Sequence, residues 1–103
     1  MSTNVFVKSG HVIDLLPAGT SGTPTGSWMY KDAPLSTIQV VATGAATVIF
    51  EVSNDGVNAV ATSLGTVTLA GAGSDGFVCN ASWKYIRARV TANVGTVSVT
   101  MSN

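Results

Sequence analysis

Charged side chains are scarce in this sequence. They make up 10% of its 103 residues, with five basic and five acidic residues, so the formal net charge at pH 7 is zero. Soluble domains usually carry about 25% charged residues. Nucleic acid and anionic membranes attract proteins that have a basic excess, which this chain does not have. We therefore expect neither as a partner.

The low charge also gives little protection against self-association. Apolar residues make up 46% of the chain, which excludes disorder of the kind that combines low hydrophobicity with high net charge. A folded domain of this composition has to cover its surface with hydroxyl groups, small residues and neighbouring subunits. We expect one domain over residues 1–103, since single domains commonly have this length, and we expect it to form a homo-oligomer.

Cysteine and histidine each occur once, which excludes several kinds of site. Cys79 has no partner for an internal disulfide or a multi-cysteine metal site, and its neighbours Phe77 and Val78 favour a small buried hydrophobe. Catalysis by His11 would need a group that orients the ring. Asp14 lies three residues further on, so in a strand it points to the opposite face. We interpret His11 as structural.

Other catalytic patterns are also missing. No two acidic residues form an evident pair for glycoside hydrolysis, and no glycine-rich phosphate loop stands between a strand and a helix. The stretch SNDGVN (53–58) is rich in oxygen atoms, but calcium needs six to eight oxygen ligands and this stretch has one carboxylate. Asn-Asp-Gly between two strands is typical of a turn. We expect no enzymatic activity, no cofactor and no metal.

Targeting and membrane segments are not evident. The start of the chain, MSTNVFVKSGHVIDLL, lacks the basic residues followed by an apolar run that mark a signal peptide. No stretch approaches the roughly 20 apolar residues of a membrane-spanning helix. We expect the protein to be made in a cytoplasm and to remain outside membranes.

Helical periodicity is absent, and β-branched residues with period-two alternation dominate. The predicted strands cover residues 11–16, 27–32, 35–43, 46–53, 62–71, a short run from 77, 83–91 and 95–101. Pro17 should end the first strand before a loop over 17–27, and Gly44 should close a hairpin. Seven or eight short strands at regular spacing predict an all-β fold, an antiparallel β-sandwich or jelly roll.

The stretch SWKYIRARVT (82–91) holds three of the five basic residues. Alternation in a strand places three of its side chains on one outward face: Tyr85, Arg87 and Arg89. Lys84 falls in line with the buried row instead. Two interpretations remain open for the outward face. It is either a solvated surface that pairs with Glu51 or Asp75, or a subunit interface, where Tyr and Arg are enriched.

Aromatic residues are few and fall in two short stretches. Trp28 and Tyr30 stand in one, and Trp83 and Tyr85 in the other. Exposed together, the four rings would make a platform on which a sugar could stack. In small sandwiches, tryptophan more often fills the core or plugs the ends of strands. If their rings are exposed, Trp28, Tyr30 and Trp83 are candidates for contacts with a ligand or with another subunit.

Three stretches taken in order carry a family resemblance: WMYKDAPLSTIQVVAT (28–43), EVSNDGVNAV (51–60) and SWKYIRARVTANVGTVSVTM (82–101). Together they resemble small structural β-sandwich proteins of tailed bacteriophages. The likeness covers residues 28–101.

The resemblance implies a non-enzymatic virion protein, first of all a capsid decoration or cement protein that binds the major capsid protein. A module of the head–tail junction, the tail or a fibre is the alternative within the virion, and a carbohydrate-binding β-sandwich is the alternative outside this class. The expected location is the virion, after synthesis in the host cytoplasm. Residues 1–27 lack the apolar periodicity to pack internally, so we expect them to make intersubunit contacts.

Overall fold

The computed structural model describes residues 12–31 and 34–102, and His11 lies outside them. The strands are β1 (Val12–Ser21), β2 (Met29–Tyr30), β3 (Leu35–Ala42), β4 (Ala46–Ser53), β5 (Gly65–Leu69), β6 (Gly73–Asn80), β7 (Tyr85–Asn93) and β8 (Thr96–Ser102). The described residues form no helix, so none of them belongs to a helix that could span a membrane. The predicted all-β class is confirmed.

The strands form two four-stranded antiparallel sheets, in the orders β1-β8-β3-β6 and β2-β7-β4-β5. Among the described strands, β4 and β5 are the one pair of consecutive strands within a single sheet. Every other connection crosses from one sheet to the other. Two four-stranded sheets wound in this way make an eight-stranded jelly roll, which is the more specific of the two predicted architectures.

The core lies between the sheets, and side-chain alternation along the central strands builds most of it. Along β3, exposed and buried residues alternate from Leu35 to Ala42, and along β8 half-buried and buried residues alternate. Fully buried side chains come from both sheets, as the inward rows of the sequence predict: Ile38, Val40, Val48, Phe50, Val52, Ile86, Val97, Val99 and Met101. The ring of Phe50 meets that of Phe77 across the sandwich, with centroids 5.3 Å apart at 70°. Each sheet therefore buries one face.

The predicted hairpin at Gly44 is wrong. Strands β3 and β4 lie in different sheets, and residues 43–45 carry the chain across the end of the sandwich. Thr43 donates its backbone N–H to the carbonyl of Thr96 at 2.9 Å, so the crossing is attached to the start of β8. Period-two alternation shows which face of a strand is buried, but a short glycine-containing connection suits a crossing as well as a hairpin.

The predicted end of the first strand at Pro17 is also wrong, because β1 continues to Ser21. It pairs with β8 alone and is an edge strand, where proline does not break a ladder on the open side. The register shifts between Asp14 and Leu16 and again between Leu16 and Thr20. The first shift turns both Leu15 and Leu16 into the core. Part of residues 1–27 therefore packs internally.

The connection after β1 passes close to β7. The N–H of Gly26 donates to the carbonyl of Ala88 at 2.7 Å. A Cβ at position 26 would lie 3.0 Å from the carbonyl oxygen of Leu15 and 3.1 Å from that of Ala88, so glycine permits this approach. The amide of Asn93 donates to the carbonyl oxygens of Thr20 and Gly22, at 3.3 and 3.0 Å. These contacts pair residues 24–26 with β7, along the same edge of β7 that β2 pairs with.

Candidate functional site

The outer face of the sheet β2-β7-β4-β5 gathers most of the candidate residues. We call this surface the arginine face; it consists of Trp28, Tyr30, Glu51, Tyr85, Arg87 and Arg89. Tyr30 of β2 stands opposite Tyr85 of β7, and Glu51 of β4 stands opposite Arg87. Trp28 reaches the same surface from the segment before β2. Alternation in β7 places its three members here, as predicted.

Glu51 holds both arginines. The Nε of Arg87 lies 2.7 Å from one carboxylate oxygen of Glu51, and the Nε of Arg89 lies 3.2 Å from the other. The side chain of Glu51 is 15% exposed, against 24% for Arg87 and 38% for Arg89. The predicted pairing with Glu51 is confirmed, whereas Asp75 belongs to β6 in the opposite sheet.

The aromatic rings are arranged around this ion-pair network. The guanidinium carbon of Arg87 lies 4.4 Å from the centroid of the Trp28 ring, a cation–π contact. The rings of Tyr30 and Tyr85 meet edge to face, with centroids 5.8 Å apart at 74°. The two tyrosine rings therefore do not share a plane, and the guanidinium group of Arg87 covers one face of the Trp28 indole. These three rings do not make a flat stacking platform.

Trp83 and Lys84 lie outside the arginine face. Trp83 is partly buried against the core, and with Asn54 and Ser82 it lines a surface groove of about 230 Å³. Lys84 is exposed just before β7 begins, so its predicted place in the buried row is wrong. Its backbone N–H donates to Oδ1 of Asn54 at 3.2 Å. The buried row starts at Ile86, because the strand begins two residues later than predicted.

Two opposing effects act on the carboxyl group of Glu51. Partial burial raises its pKa, but the hydrogen bond from Arg87 and the positive charges of Arg87 and Arg89 outweigh that effect. The pKa of Glu51 therefore lies below its ordinary value. The carboxylate stays ionised at neutral pH and holds both guanidinium groups in place.

The stretch 53–58 forms the predicted turn after β4. Its Asp55 carboxylate accepts backbone N–H groups of Val57 and Asn58 at 2.8 Å each, the hydroxyl of Ser53 at 2.7 Å and the amide of Asn58 at 3.0 Å. Gly56 has φ of 70°, and the Tyr85 ring lies 3.5 Å from the position of a Cβ there. Both oxygens of Asp55 thus hold the turn closed beside the arginine face.

Acid is expected to destabilise the protein partly through Asp55. The backbone hydrogen bond from Asn58, followed by those from the Ser53 and Asn58 side chains, lowers the pKa of Asp55 well below its ordinary range. A lowered folded-state pKa adds stability above the unfolded-state pKa, and this contribution is lost as pH falls from about 5 towards 2. Urea unfolding across this range should show the wild type losing stability.

In the same series, D55N should be less stable at neutral pH and should depend less on pH. D14N removes one negative charge from β1 and serves as the control for the loss of a charge alone. Parallel curves for D55N and the wild type would contradict the role assigned to Asp55.

The outer face of the other sheet, β1-β8-β3-β6, has a different composition. We call it the hydroxyl face; its outward residues are Val12, Asp14, Leu35, Thr37, Gln39, Val41, Ser74, Gly76, Val78, Asn80, Thr96, Ser98, Thr100 and Ser102. Asp14 is the one ionisable side chain among these described positions. Four large apolar residues are exposed here: Val12 (68%), Leu35 (60%), Val41 (43%) and Val78 (65%). Sequence reasoning did not single out this face, because its residues come from four separate stretches.

Sequence reasoning also missed a buried lysine. Lys31 is 3% exposed, and its ammonium group donates to the carbonyl oxygens of Pro34 and Ala81 at 2.7 Å each. Burial lowers the pKa of Lys31. The N–H of Ala81 also donates to the Pro34 carbonyl at 3.1 Å. Lys31 thus fastens the connection before β3 to the connection after β6, which is a structural role. Nothing in the local sequence distinguishes it from a surface lysine.

Residues 12–31 and 34–102 bring together no group of three or more histidine, cysteine, aspartate or glutamate side chains that could hold a metal ion. The surfaces that can contact a ligand or a partner are the two outer faces of the sheets and the groove at Trp83. One face offers ionic and aromatic contacts, and the other offers hydroxyl and apolar contacts.

The topology defines the class as an eight-stranded jelly roll, an architecture found in viral capsid proteins, lectins and cupins. Among solved structures, the crystal structure of the SPBc2 prophage-derived protein YomS is similar, with a TM-score of 0.73 over 98% of this chain and 97% of that chain. The two sequences are 11% identical, so the likeness shows a shared fold. No protein-family model and no curated protein matches this chain.

Proposed function

We propose that this chain is a non-enzymatic structural protein of a bacteriophage virion. In this role it decorates or cements the capsid as a homo-oligomer that binds the major capsid protein. The observation that carries the proposal is the hydroxyl face, a four-stranded surface with one ionisable side chain among its described residues and four exposed large apolar ones. Its location would be the virion, after synthesis in the host cytoplasm.

Binding of a protein partner removes water from the groups on the hydroxyl face, so the free-energy cost depends on the kind of group that is buried. Burying an unpaired charge is costly, whereas hydroxyl groups can exchange water for donors and acceptors on a partner. Leu35 and Val78 lie on the neighbouring strands β3 and β6, so their apolar surface is close together. A surface of this kind suits a permanent contact between subunits better than it suits free exposure to solvent.

Two further observations support a phage origin. The sequence resembles small structural proteins of tailed phages over residues 28–101, and the similar crystal structure is that of a prophage-derived protein. A module of the head–tail junction, the tail or a fibre would use the same face, and the location of the protein on the particle distinguishes these roles.

A second candidate function is favoured by the groove at Trp83. An indole, the amide of Asn54 and the hydroxyl of Ser82 line this groove of about 230 Å³, and these groups can contact the apolar face and hydroxyls of a sugar. On this alternative the chain is a carbohydrate-binding sandwich or receptor-binding tip. Binding to a glycan array that W83A abolishes would favour it over the capsid role.

The test of the proposed function measures both mass and location. The purified chain is expected to have an oligomeric mass in solution and to bind phage particles that lack it. Negative-stain images should then show it at regular capsid positions with a fixed stoichiometry. A monomer that fails to bind such particles would overturn the proposal, and regular binding at the tail would move it to the alternative virion role.

Intersubunit contacts through residues 1–27 remain part of the proposal. Because Leu15 and Leu16 lie in the core, removing all 27 residues would damage the fold as well as any contact. The deletion is therefore limited to residues 1–11, which precede β1. Unchanged oligomer mass and unchanged particle binding after this deletion would exclude these residues as the contact.

A further inference from the structure

We propose that the arginine face is a carboxylate-binding site that docks an acidic segment of a protein partner. The inference rests on the proposed function in one respect, namely that the chain binds another protein. It adds a second contact surface, on the sheet opposite the hydroxyl face, and it assigns the chemistry of that surface.

The two arginines of the arginine face bind Glu51 through their Nε atoms. Within the described part of the chain, the hydrogen bonds of both guanidinium groups start at Nε and end on Glu51. Their terminal nitrogens are left to donate to another acceptor. Each guanidinium has a planar fork of donors that matches a carboxylate. Arg89 is 38% exposed and Arg87 is 24% exposed, so an incoming carboxylate can reach both.

The centre of the arginine face carries more positive than negative charge. Two guanidinium groups share one carboxylate, Glu51, which leaves one positive charge in excess at the centre of the face. The chain as a whole is neutral, so this excess is local and acts at short range. One further carboxylate would complete the network with two cations and two anions. This is the charge complementarity that selects an acidic partner.

The guanidinium group of Arg87 is held in place before any partner binds. Arg87 is held by Glu51 on one side and by the Trp28 ring at 4.4 Å on the other. The edge-to-face pair of Tyr30 and Tyr85 flanks it along β7. A donor that is already fixed loses less conformational freedom on binding. Arginine with tyrosine and tryptophan is also the composition that dominates the energetics of protein interfaces.

The same geometry favours a protein segment over other anionic ligands. An acidic sugar would stack on an open aromatic face, but Arg87 covers Trp28 and the two tyrosines lie at 74° to each other. A nucleic acid strand would need a longer row of cations than two arginines. A single acidic side chain on a loop or strand can be bound by the two guanidinium groups alone.

The test titrates the full chain with a capped peptide of alternating glutamate and glycine, and with the same peptide carrying glutamine in place of glutamate. Binding is followed by the NMR signals of the arginine Nε–H groups and of the two tryptophan indoles. The glutamate peptide is expected to shift the Trp28 signal more than the Trp83 signal, and its binding should weaken as salt is raised. The glutamine peptide should not bind.

Arg89→Gln is expected to lower the affinity for the glutamate peptide about tenfold, since charge-assisted hydrogen bonds contribute on this scale. Lys84→Gln removes an equal charge from an exposed position just before the same strand and should change affinity less than about twofold. Should Arg89→Gln fail to fold, Arg89→Lys keeps the charge without the fork and should also bind more weakly.

Three results of the peptide titrations would overturn the inference: no binding of the glutamate peptide, equal binding of the glutamine peptide, or an equal loss in Lys84→Gln. Tighter Arg89-dependent binding of a sialylated oligosaccharide would also overturn it, by assigning the site to a sugar. The proposed function is tested separately on particles. Peptide binding without particle binding would reject that function and keep the site, and the reverse result would reject the site alone.

Discussion

Replacing Phe50 with alanine is expected to lower the free energy of unfolding by about 3–5 kcal/mol. Phe50 is fully buried in β4, and its ring contacts Phe77, which belongs to the opposite sheet. The substitution removes the edge-to-face contact and leaves a cavity between the sheets. Because small domains are stable by about 5–15 kcal/mol in total, a large share of the margin would be lost.

Urea unfolding followed by tryptophan fluorescence measures this change, with the slope of the transition checked for two-state behaviour. V57A is the matched control, since Val57 is 74% exposed and its truncation should change stability by about 0.5 kcal/mol or less. F50L should fall between the two. A loss in F50A below about 1 kcal/mol would mean that Phe50 does not join the two sheets as described.

The position of Phe50 in the core was predictable, because alternation alone identifies the buried row of a strand. In β4 the inward residues Val48, Phe50 and Val52 are buried and Glu51 is not, as the sequence indicates. Alternation does not say which sheet a strand joins. That choice depends on pairing between distant residues, such as Ile38 with Met101. The hairpin predicted at Gly44 was wrong for this reason.

The limits of β1 and β6 show a second gap in sequence reasoning. Pro17 in β1 and the glycines Gly73 and Gly76 in β6 are turn residues by local preference. All three nevertheless lie within edge strands. An edge strand pairs on one side alone, so it tolerates a missing N–H or a glycine. Whether a strand lies at an edge follows from the complete sheet order, which the local sequence does not contain.

The candidate site was predictable to the extent that it lies within strands. Tyr85, Arg87 and Arg89 share a face because they alternate along β7, and Glu51 faces them from β4. The contact between Trp28 and Arg87 was not predictable. It depends on the path of residues 22–28, which is set by backbone contacts at Gly26 rather than by a repeating pattern.

A glutamate in place of Val41 is expected to abolish binding to phage particles while leaving the fold intact. Val41 lies within the hydroxyl face, opposite Ser98 of β8 and Ser74 of β6, and its side chain is 43% exposed. In the free protein, a carboxylate at this position would stay hydrated. In an interface it would be buried among hydroxyl and apolar groups without a cation. An unpaired buried charge costs about 3–5 kcal/mol, which corresponds to an affinity loss of roughly a hundredfold or more.

The control variant is V94E, because Val94 is 82% exposed in the turn between β7 and β8, away from the centre of either face. It adds the same charge to the chain and should bind particles as the wild type does. T100E adds a charge on the neighbouring strand β8 and is expected to behave like V41E. Circular dichroism and urea unfolding establish that each variant is folded before binding is measured by co-sedimentation. Full binding by both V41E and T100E would exclude the hydroxyl face as the contact. If R89Q then failed to bind particles, the arginine face would be the principal docking surface, because the first result excludes the hydroxyl face and the second shows that binding depends on Arg89.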